Sequence, residues 1–386
     1  MIFILSIVNT DNKTWLENLK KMLRHKSVKG LSILGGDMFK RSSEFDNHEL
    51  ALNIIDSEVR LDAIIAIHRC GLGEPSFGAT RFMYYKDKED AIDDALRLSR
   101  LMSYKAALAG VNYGGAKGVI MAKKTLDEMS EAERRALLKR YAQGVNQLEG
   151  RFITGTDMGF CREDIRVMLN YSSYFVGNNI DPTDYTVKGL LIGIEECLRR
   201  VFGNSDISGR SFAIQGIGKI GLALLNLIYP LADKIFVADT NRERLETVRA
   251  EFPEVKIVST QEIHLQRVDV FSPCAINYTL NKKTVPNICS RIIAGGANNQ
   301  IDSRETGELI YRKGIVYAPD YAVNAGGLIS VVDEYEHKDR SNERIIKRIG
   351  CIKKNINRIL EESERQGRPT NLIADEMAEE IFNKLI

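Results

Sequence analysis

The chain has 386 residues, of which 44% are hydrophobic, so it is long enough to form two or three globular domains. Its 54 basic and 52 acidic residues are interleaved and leave a net charge of +2, which argues against a nucleic-acid partner. No stretch reaches the about 18 uninterrupted apolar residues that a membrane helix requires, and we expect a cytoplasmic protein without a membrane partner.

The cysteines and the first residues argue against a metal-binding, a disulfide-bonded and a secreted protein. The six cysteines are scattered singly, without CxxC pairs or nearby histidines, so we expect reduced thiols and neither a metal site nor a disulfide framework. The opening MIFILSIV has an apolar run of eight residues, with no basic residue before it and no small-residue cleavage site after it. This segment predicts a buried strand and not a signal peptide.

From about residue 60, short apolar runs alternate with longer helical periods, a pattern typical of an α/β protein. The segments 61–68 and 81–85 predict strands. The polar and apolar residues that follow have helical spacing, and Asp87 is placed to cap the helix. Lys105 is expected near the C-terminal end of that helix.

The next segments continue the same alternation. Residues 118–121 predict a strand, and SEAE at 130–133 is a capping box that begins a helix reaching about residue 147. RFITGTDMGF (151–160) predicts a strand that ends just before Asp157. Ligand chemistry is expected at the carboxyl ends of strands in an open α/β sheet, but an aspartate that caps a helix would have the same pattern.

A second series of strands and helices begins near residue 186 with an apolar helix. Its predicted strands are FAIQG, KIFVAD, VKIV, VDVFSP, RIIAGG and IVYAPD. Strands at this interval predict a doubly wound parallel sheet, and long amphipathic helices follow the glycine pair at 326–327. We therefore predict an α/β protein with a substrate domain at 1–182, a Rossmann domain at 183–328, and C-terminal helices at 329–386 that return to the first domain.

A glycine-rich turn in the second series predicts a dinucleotide site. Gly216, Gly218 and Gly221 directly follow a strand and begin a helix, where they permit a tight turn, close approach of a pyrophosphate and close packing of helix on strand. Asp239 ends the next strand, 23 residues after Gly216, and suits hydrogen bonds to the adenosine ribose. Its carboxylate favours NAD over NADP, although arginines lie nearby. An ordinary glycine-rich turn is the alternative.

Two lysines flank the glycine-rich segment GVNYGGAKGVI. Lys105 and Lys117 are twelve residues apart, on either side of the expected helix end and an expected glycine turn. If both ammonium groups enter one cleft, each lowers the pKa of the other and desolvation adds to the effect, which would make a lysine able to act as a base near neutrality. Two unrelated surface lysines would give the same spacing.

The longer motifs resemble those of the leucine, phenylalanine and valine dehydrogenases, within the glutamate dehydrogenase superfamily. The resemblance runs from about residue 39 to the C-terminus and is carried by MSYKAALAGVNYGGAKGVI, TGTDMG, GIGKIG, AGGANNQ, GIVYAPDYAVNAGG and DEMAEE. It implies reversible, NAD-dependent oxidative deamination of an L-amino acid to a 2-oxo acid and ammonia. It also implies a homo-oligomer, with small molecules as substrates.

The resemblance also implies roles for particular residues. Lys105 would hold the substrate carboxylate, Lys117 would polarise the attacking water, and Asp157 would carry protons to and from the amine. The remaining residues that it implies are Gly78 beside the substrate, Asn298 beside substrate and cofactor, and Thr186 at the nicotinamide end of the cofactor.

Substrate specificity is expected from four uncharged residues, which the resemblance places around the substrate side chain: Phe77, Gly155, Leu328 and Val331. Without a charge among them, an acidic substrate would find no partner, and an apolar amino acid of the branched-chain, leucine or valine type is expected. Stacking on Phe77 leaves phenylalanine or tryptophan as the alternative.

Three departures from the family pattern keep a second class of function open. Ala79 replaces a glycine, Thr156 replaces an acidic residue, and residues 1–38 form an extension. A cofactor-binding regulatory homologue without turnover is therefore an alternative. A 2-hydroxy-acid dehydrogenase is less well supported, because the glycine-rich segments contain no histidine and His68 is expected to be structural.

Overall fold

The computed structural model describes most of the chain, in the ranges 2–4, 37–69, 75–122, 128–178, 180–275, 278–337, 339 and 341–385. It divides into two compact units. The first contains the described residues up to Ala107, with Asn112–Ile180 and Phe382–Ile386. The second contains Leu108–Val111 and Asp181–Ile381. Most of the extension at 1–38 lies outside the described residues.

The described part of the first unit is built on a mixed sheet of six strands. They are β1 (Ile2–Ile4), β2 (Leu50–Asp56), β3 (Leu61–Arg69), β4 (Ser76–Met83), β5 (Gly114–Met121) and β6 (Phe152–Thr156). The order across the sheet is β1-β2-β3-β5-β4-β6. β4 runs parallel to β5 and β6, whereas the pairs from β1 to β5 are antiparallel. The strand predicted at 61–68 is confirmed, and the one predicted at 81–85 begins earlier and ends at Met83.

Helices cover both faces of this sheet. They are α1 (Asp37–Lys40), α2 (Lys88–Leu108), α3 (Glu131–Asn146) and α4 (Arg162–Leu169). The predicted caps are confirmed, since Asp90 N donates to Asp87 Oδ1 over 3.0 Å and the capping box of Ser130 and Glu133 is formed. Alternate residues of β3 enter two cores, Ile65 on one face and Ile64 on the other, which explains why this strand is apolar almost throughout.

The second unit is built on a parallel sheet, as predicted. Its described strands are β7 (Ser211–Gln215), β8 (Lys234–Ala238), β9 (Lys256–Ile257), β10 (Val270–Pro273), β11 (Ile292–Ile293) and β12 (Val316–Tyr317). The order is β12-β11-β10-β7-β8-β9, and every neighbouring pair is parallel. The order reverses between β7 and β10, which is the switch point where doubly wound sheets bind dinucleotides.

The helices of the second unit follow its strands and continue to the C-terminus. They are α5 (Thr183–Phe202), α6 (Lys219–Ile228), α7 (Arg242–Glu251), α8 (Arg304–Arg312), α9 (Asp320–Val323), α10 (Gly326–His337), α11 (Asn342–Ile349), α12 (Cys351–Gln366) and α13 (Thr370–Leu385). Short 3-10 turns lie at Ile263–Leu265 and Val285–Asn287. No helix in the described ranges is long and apolar enough to cross a membrane.

The expected return of the C-terminal helices to the first domain stays a prediction. α10 and α12 pack on α5 within the second unit, and only Phe382–Ile386 group with the first. Gly189 of α5 explains the close approach of α12, because a β-carbon there would lie 2.7 Å from Ile352 Cδ1. The longer segment of the second unit begins at Asp181, and the boundary expected from the sequence is 182–183.

Candidate active site

The glycine-rich segment around Lys117 forms a strand and not the turn that its composition suggests. Lys117 lies within β5, opposite Ala66 of β3, and is only 5% exposed. The flanking glycines are needed for contact, because a β-carbon on Gly115 would lie 2.0 Å from Ser103 N of α2. One on Gly118 would lie 2.2 Å from the Tyr141 hydroxyl. Helices α2 and α3 therefore pack directly against the strand that carries the buried lysine.

Asp157 lies directly after β6 and forms an ion pair with this lysine. Lys117 Nζ is 2.5 Å from Asp157 Oδ2. The Asp157 backbone is held as well, since its N–H donates to the carbonyl oxygen of Thr80 over 2.8 Å. The N-cap of the following helix is Cys161, so Asp157 is not the helix cap that its sequence context also allowed.

The surroundings shift the pKa of both partners. Burial lowers the pKa of the Lys117 ammonium below its ordinary value, although the Asp157 carboxylate acts in the opposite direction. Burial alone would raise the pKa of Asp157, but Lys117 and Arg81 outweigh it and hold that pKa well below its usual range. The pair thus joins a firmly charged carboxylate to a lysine that releases its proton more readily than a surface lysine.

Arg81 is a site residue that the sequence reasoning missed. It lies in β4, is 2% exposed, and donates from Nε to Asp157 Oδ2 over 3.1 Å. Its terminal nitrogen donates to Asp94 Oδ2 over 2.9 Å. The available signal was an arginine inside a predicted strand, because a buried guanidinium needs carboxylate partners.

Lys105 lies near the same contact between α2 and β5. Gly115 N donates to Ser103 Oγ over 3.1 Å, which fixes the helix against the strand. Lys105 and Lys117 each follow that contact by two residues, one on each element. Lys105 is half-buried, whereas Lys117 is buried.

Three further predicted residues lie on strands of this unit. Gly78 of β4 admits no side chain, because a β-carbon would lie 1.9 Å from the Ala116 carbonyl oxygen. Phe77 is 1% exposed, and its ring centroid is 4.8 Å from that of Tyr113. Gly155 is half-buried, and among the described residues a β-carbon there would meet the Val176 carbonyl oxygen alone, at 3.3 Å. Phe77 is therefore a core side chain in this structure, while Gly155 leaves some space.

The glycine turn of the second unit has the geometry that a pyrophosphate requires. Gly216 has φ +94°, a backbone conformation that favours glycine. Gly221 packs so closely that a β-carbon would lie 1.8 Å from the Gly216 carbonyl oxygen. Gly218 is the N-cap residue of α6, and the nearest group to a β-carbon there would be Arg244, at 3.8 Å. The turn therefore presents open backbone at a helix N-terminus, which fits the phosphates of a dinucleotide.

The Asp239 side chain is hydrogen-bonded to this turn. Its Oδ2 accepts a hydrogen bond from Ile217 N over 2.6 Å, and its Oδ1 accepts one from Asn241 N over 2.8 Å. Arg244 lies beside it, with a terminal nitrogen 3.6 Å from Oδ2. The carboxylate thus fixes the glycine turn, a role that the sequence reasoning did not assign to it.

The other predicted residues of the second unit lie on α5, α10 and the segment after β11. Thr186 Oγ1 donates to the Pro182 carbonyl oxygen over 2.8 Å. Asn298 is exposed, and its Oδ1 accepts from Asn324 Nδ2 over 3.0 Å. Leu328 and Val331 are half-buried and lie three residues apart, so they share one face of α10.

Comparison with known families matches both halves of the chain. The model of the Glu/Leu/Phe/Val dehydrogenase dimerisation domain matches residues 51–174. The model of the Glutamate/Leucine/Phenylalanine/Valine dehydrogenase domain matches residues 232–381.

Individual relatives match over most of their length. Leucine dehydrogenase of Bacillus subtilis is 36% identical over 355 residues, which cover 90% of this chain and 95% of the relative. Phenylalanine dehydrogenase of Bacillus thermotolerans is 35% identical over 353 residues, covering 89% and 90%. The crystal structure of L-tryptophan dehydrogenase from Nostoc punctiforme superposes with a TM-score of 0.72 at 36% identity, covering 88% of this chain and 96% of that one. The chain therefore belongs to the glutamate, leucine, phenylalanine and valine dehydrogenase family and is an NAD-dependent amino-acid dehydrogenase.

Proposed function

We propose that this dehydrogenase converts an apolar L-amino acid of the branched-chain, leucine or valine type to its 2-oxo acid and ammonia, reversibly. The observation that carries the proposal is the ion pair of the buried Lys117 with the half-buried Asp157, with 2.5 Å between Nζ and Oδ2. A lysine of lowered pKa beside a charged carboxylate supplies the two proton-transfer groups that deamination needs.

The proton steps follow from the positions of these two groups. Asp157 takes a proton from the substrate ammonium, so that the nitrogen lone pair can form the double bond of the iminium. When bound, NAD supplies the acceptor for the hydride that leaves the α-carbon. Lys117 polarises the water that adds to the iminium carbon, and Asp157 returns a proton to the nitrogen as ammonia leaves. Water supplies the oxygen of the 2-oxo acid and gives up both of its protons. One of them is balanced when the departing ammonia is protonated to ammonium, so one proton is released overall.

Substrate and cofactor binding are assigned to residues near these groups and near the glycine turn. Lys105 is proposed to hold the substrate carboxylate. This proposal is supported by the position of Lys105, beside the contact of α2 with β5. Gly78 is proposed to border the substrate, because only a glycine fits against the Ala116 carbonyl oxygen. The residues proposed to hold NAD are Gly216, Gly218, Gly221, Asp239, Thr186 and Asn298.

An apolar substrate is supported by the residues proposed for the side-chain pocket. Leu328 and Val331 offer half-buried aliphatic groups, and Gly155 leaves room for a branched side chain. An aromatic substrate is the second candidate, because the similar relatives include phenylalanine and L-tryptophan dehydrogenases. Phe77 gives this alternative less support than the sequence suggested, since its ring packs on Tyr113 in the core.

The test is NADH formation from L-leucine, L-valine, L-isoleucine, L-phenylalanine, L-tryptophan and L-glutamate at equal concentrations. The proposal predicts the highest kcat/KM for leucine or valine and negligible turnover of glutamate. A preference for phenylalanine or tryptophan would establish the aromatic alternative. Binding of NAD without turnover of any amino acid would instead support a regulatory homologue.

We also propose that the chain forms a homo-oligomer. The support is the match of residues 51–174 to a family domain described as a dimerisation domain. Sedimentation equilibrium should give a multiple of the 43.4 kDa chain mass. A monomer at assay concentration would contradict this proposal.

A further inference from the structure

Arg81 is a buried cation with two carboxylate partners. At 2% exposure its guanidinium has lost almost all contact with water, which costs several kcal/mol unless opposite charges and hydrogen bonds compensate. Asp157 and Asp94 provide that compensation on different nitrogens of the same group. Arg81 therefore connects the ion pair of Lys117 and Asp157 to a second, structural carboxylate.

The Asp94 side of this connection is rigid. Asp94 lies on α2, is 7% exposed, and accepts from Arg81 over 2.9 Å. It also accepts from the Tyr85 hydroxyl over 2.7 Å and from an Arg97 terminal nitrogen over 2.5 Å. With three donors on one carboxylate, Asp94 fixes where the guanidinium of Arg81 lies.

The other side of the guanidinium acts on Asp157. Arg81 Nε and Lys117 Nζ both contact Asp157 Oδ2, at 3.1 and 2.5 Å. The residue before Arg81 holds the backbone, because the Thr80 carbonyl oxygen accepts from Asp157 N. Side chain and main chain of Asp157 are thus both tied to β4, which restricts the carboxylate to one orientation.

We propose that Arg81 is a positioning residue of the dehydrogenase reaction, which is anchored on Asp94 and holds the Asp157 carboxylate charged and oriented beside Lys117. The inference rests on the proposed function, because it requires Lys117 and Asp157 to be the reacting pair. The charged and titratable groups around the guanidinium are Asp94 and Arg97 from α2, Tyr85 after β4, Lys117 from β5 and Asp157 after β6.

The charge of Arg81 has a predictable effect on the pair. It adds to the burial that lowers the pKa of Lys117, and it joins Lys117 in lowering the pKa of Asp157 against burial. Replacing it by a neutral side chain therefore raises both pKa values. Because Lys117 then releases its proton at higher pH, the rise of activity with pH should move in the same direction.

The experiment measures kcat and kcat/KM for the preferred amino acid as a function of pH in Arg81→Met, Arg81→Lys and Arg100→Met. Arg100 is the matched control, since it pairs with Glu44 over 2.8 Å in the same unit and is not part of the site. Arg81→Met should lower kcat about 10- to 100-fold and move the half-maximal pH of kcat/KM upward by about one unit or more. Arg81→Lys should keep the wild-type pH position but lose kcat, because an ammonium cannot bridge two carboxylates as a guanidinium does.

The inference is overturned if Arg81→Met matches Arg100→Met in both kcat and pH position. Far-UV circular dichroism and NADH binding establish that each variant is folded. Should Arg81→Met not fold, Asp94→Asn decides, because it keeps the Arg81 and Asp157 side chains but weakens the anchor of Arg81, and it is expected to lower kcat about tenfold. Control-level kcat in Asp94→Asn would contradict the inference. Asp157→Asn separates the two proposals. If it retains wild-type turnover, the proposed function fails, whereas an inactive Asp157→Asn beside an unaffected Arg81→Met removes only the role of Arg81.

Discussion

Gly115 N donates to Ser103 Oγ over 3.1 Å, and a β-carbon on Gly115 would lie 2.0 Å from Ser103 N. Strand β5 and helix α2 therefore meet backbone to backbone, two residues before Lys117 and Lys105. The atoms nearest to such a β-carbon are main-chain atoms of Met102 and Ser103, so the close approach depends on the missing side chain of Gly115.

Gly115→Ala should destabilise the protein because its methyl group collides with backbone that cannot rotate away. We expect the free energy of unfolding to fall by about 1–3 kcal/mol or more. Gly155→Ala is the matched control, since its β-carbon would lie 3.3 Å from the Val176 carbonyl oxygen, and this substitution should change stability by less than about 1 kcal/mol. Urea unfolding followed by circular dichroism measures both, and equal losses would refute the argument.

Acid should destabilise the first unit through a buried histidine pair. His48 accepts from Asp46 N at Nδ1 and lies 2.9 Å from the Leu96 carbonyl oxygen at Nε2, an arrangement that fits the neutral ring. Burial lowers the pKa of His48 to about 3 and that of His68 to about 4. Both values lie below the unfolded value of about 6.5, so the stability from burying neutral rings is complete above pH 6.5 and is lost as pH falls towards 4.

The measurement is urea unfolding at pH 7 and pH 4.5 for the wild type and for His48→Asn. The wild type should lose more than about 1 kcal/mol over this interval through the pair, and His48→Asn should lose less. His264→Asn is the control, because this histidine is only half-buried and lies in the second unit. The same loss in wild type and His48→Asn would assign the acid sensitivity to other groups.

Substrate preference should respond to Leu328. Shortening this half-buried side chain to alanine removes three carbons from the proposed pocket wall, which should favour larger substrates. We expect Leu328→Ala to raise the ratio of kcat/KM for L-phenylalanine over L-leucine by about tenfold or more. Ile346→Ala, an exposed aliphatic position on α11, is the control. An unchanged ratio in Leu328→Ala would remove this residue from the pocket.

Cofactor preference should depend on Asp239. Replacing its carboxylate by the amide of asparagine keeps the shape and removes the charge that would repel the 2′-phosphate of NADP, while Arg244 stays beside it. Asp239→Asn should therefore raise the ratio of kcat/KM with NADP to that with NAD by about tenfold or more. Glu243→Gln, at an exposed position of α7, is the control for charge alone. If the ratio does not change, the assignment of Asp239 to the ribose is wrong.

The parts of this fold that the sequence predicted are those with local signals. Helix α2 has its cap at Asp87, α3 has its capping box, and the turn at Gly216 has its glycines in a fixed spacing after a strand. Each of these features is set by residues a few positions apart. The long motifs predicted the family in the same way, because each is a continuous stretch of sequence and they occur in the family's order along the chain.

The features that were missed or mistaken depend on contacts between distant residues. Glycines weaken strands in general, so GGAKG predicted a turn, and only the approach of Ser103 and Tyr141 explains a strand there. Arg81 reaches Asp94 thirteen residues away and Asp157 seventy-six residues away, which no local pattern shows. The contact of Ile352 with Gly189, which joins α12 to α5, is equally non-local and could not be predicted from the sequence.

The central claim is that the buried ammonium of Lys117 takes part in the chemical step. The most direct test compares Lys117→Ala with Lys86→Ala, an exposed lysine of the same unit, in NADH formation from the preferred amino acid and in NADH binding. The account predicts that Lys117→Ala loses kcat by about a thousandfold or more while NADH binding is unchanged, and that Lys86→Ala matches the wild type. Lys117→Ala with kcat within about tenfold of the control would contradict the account.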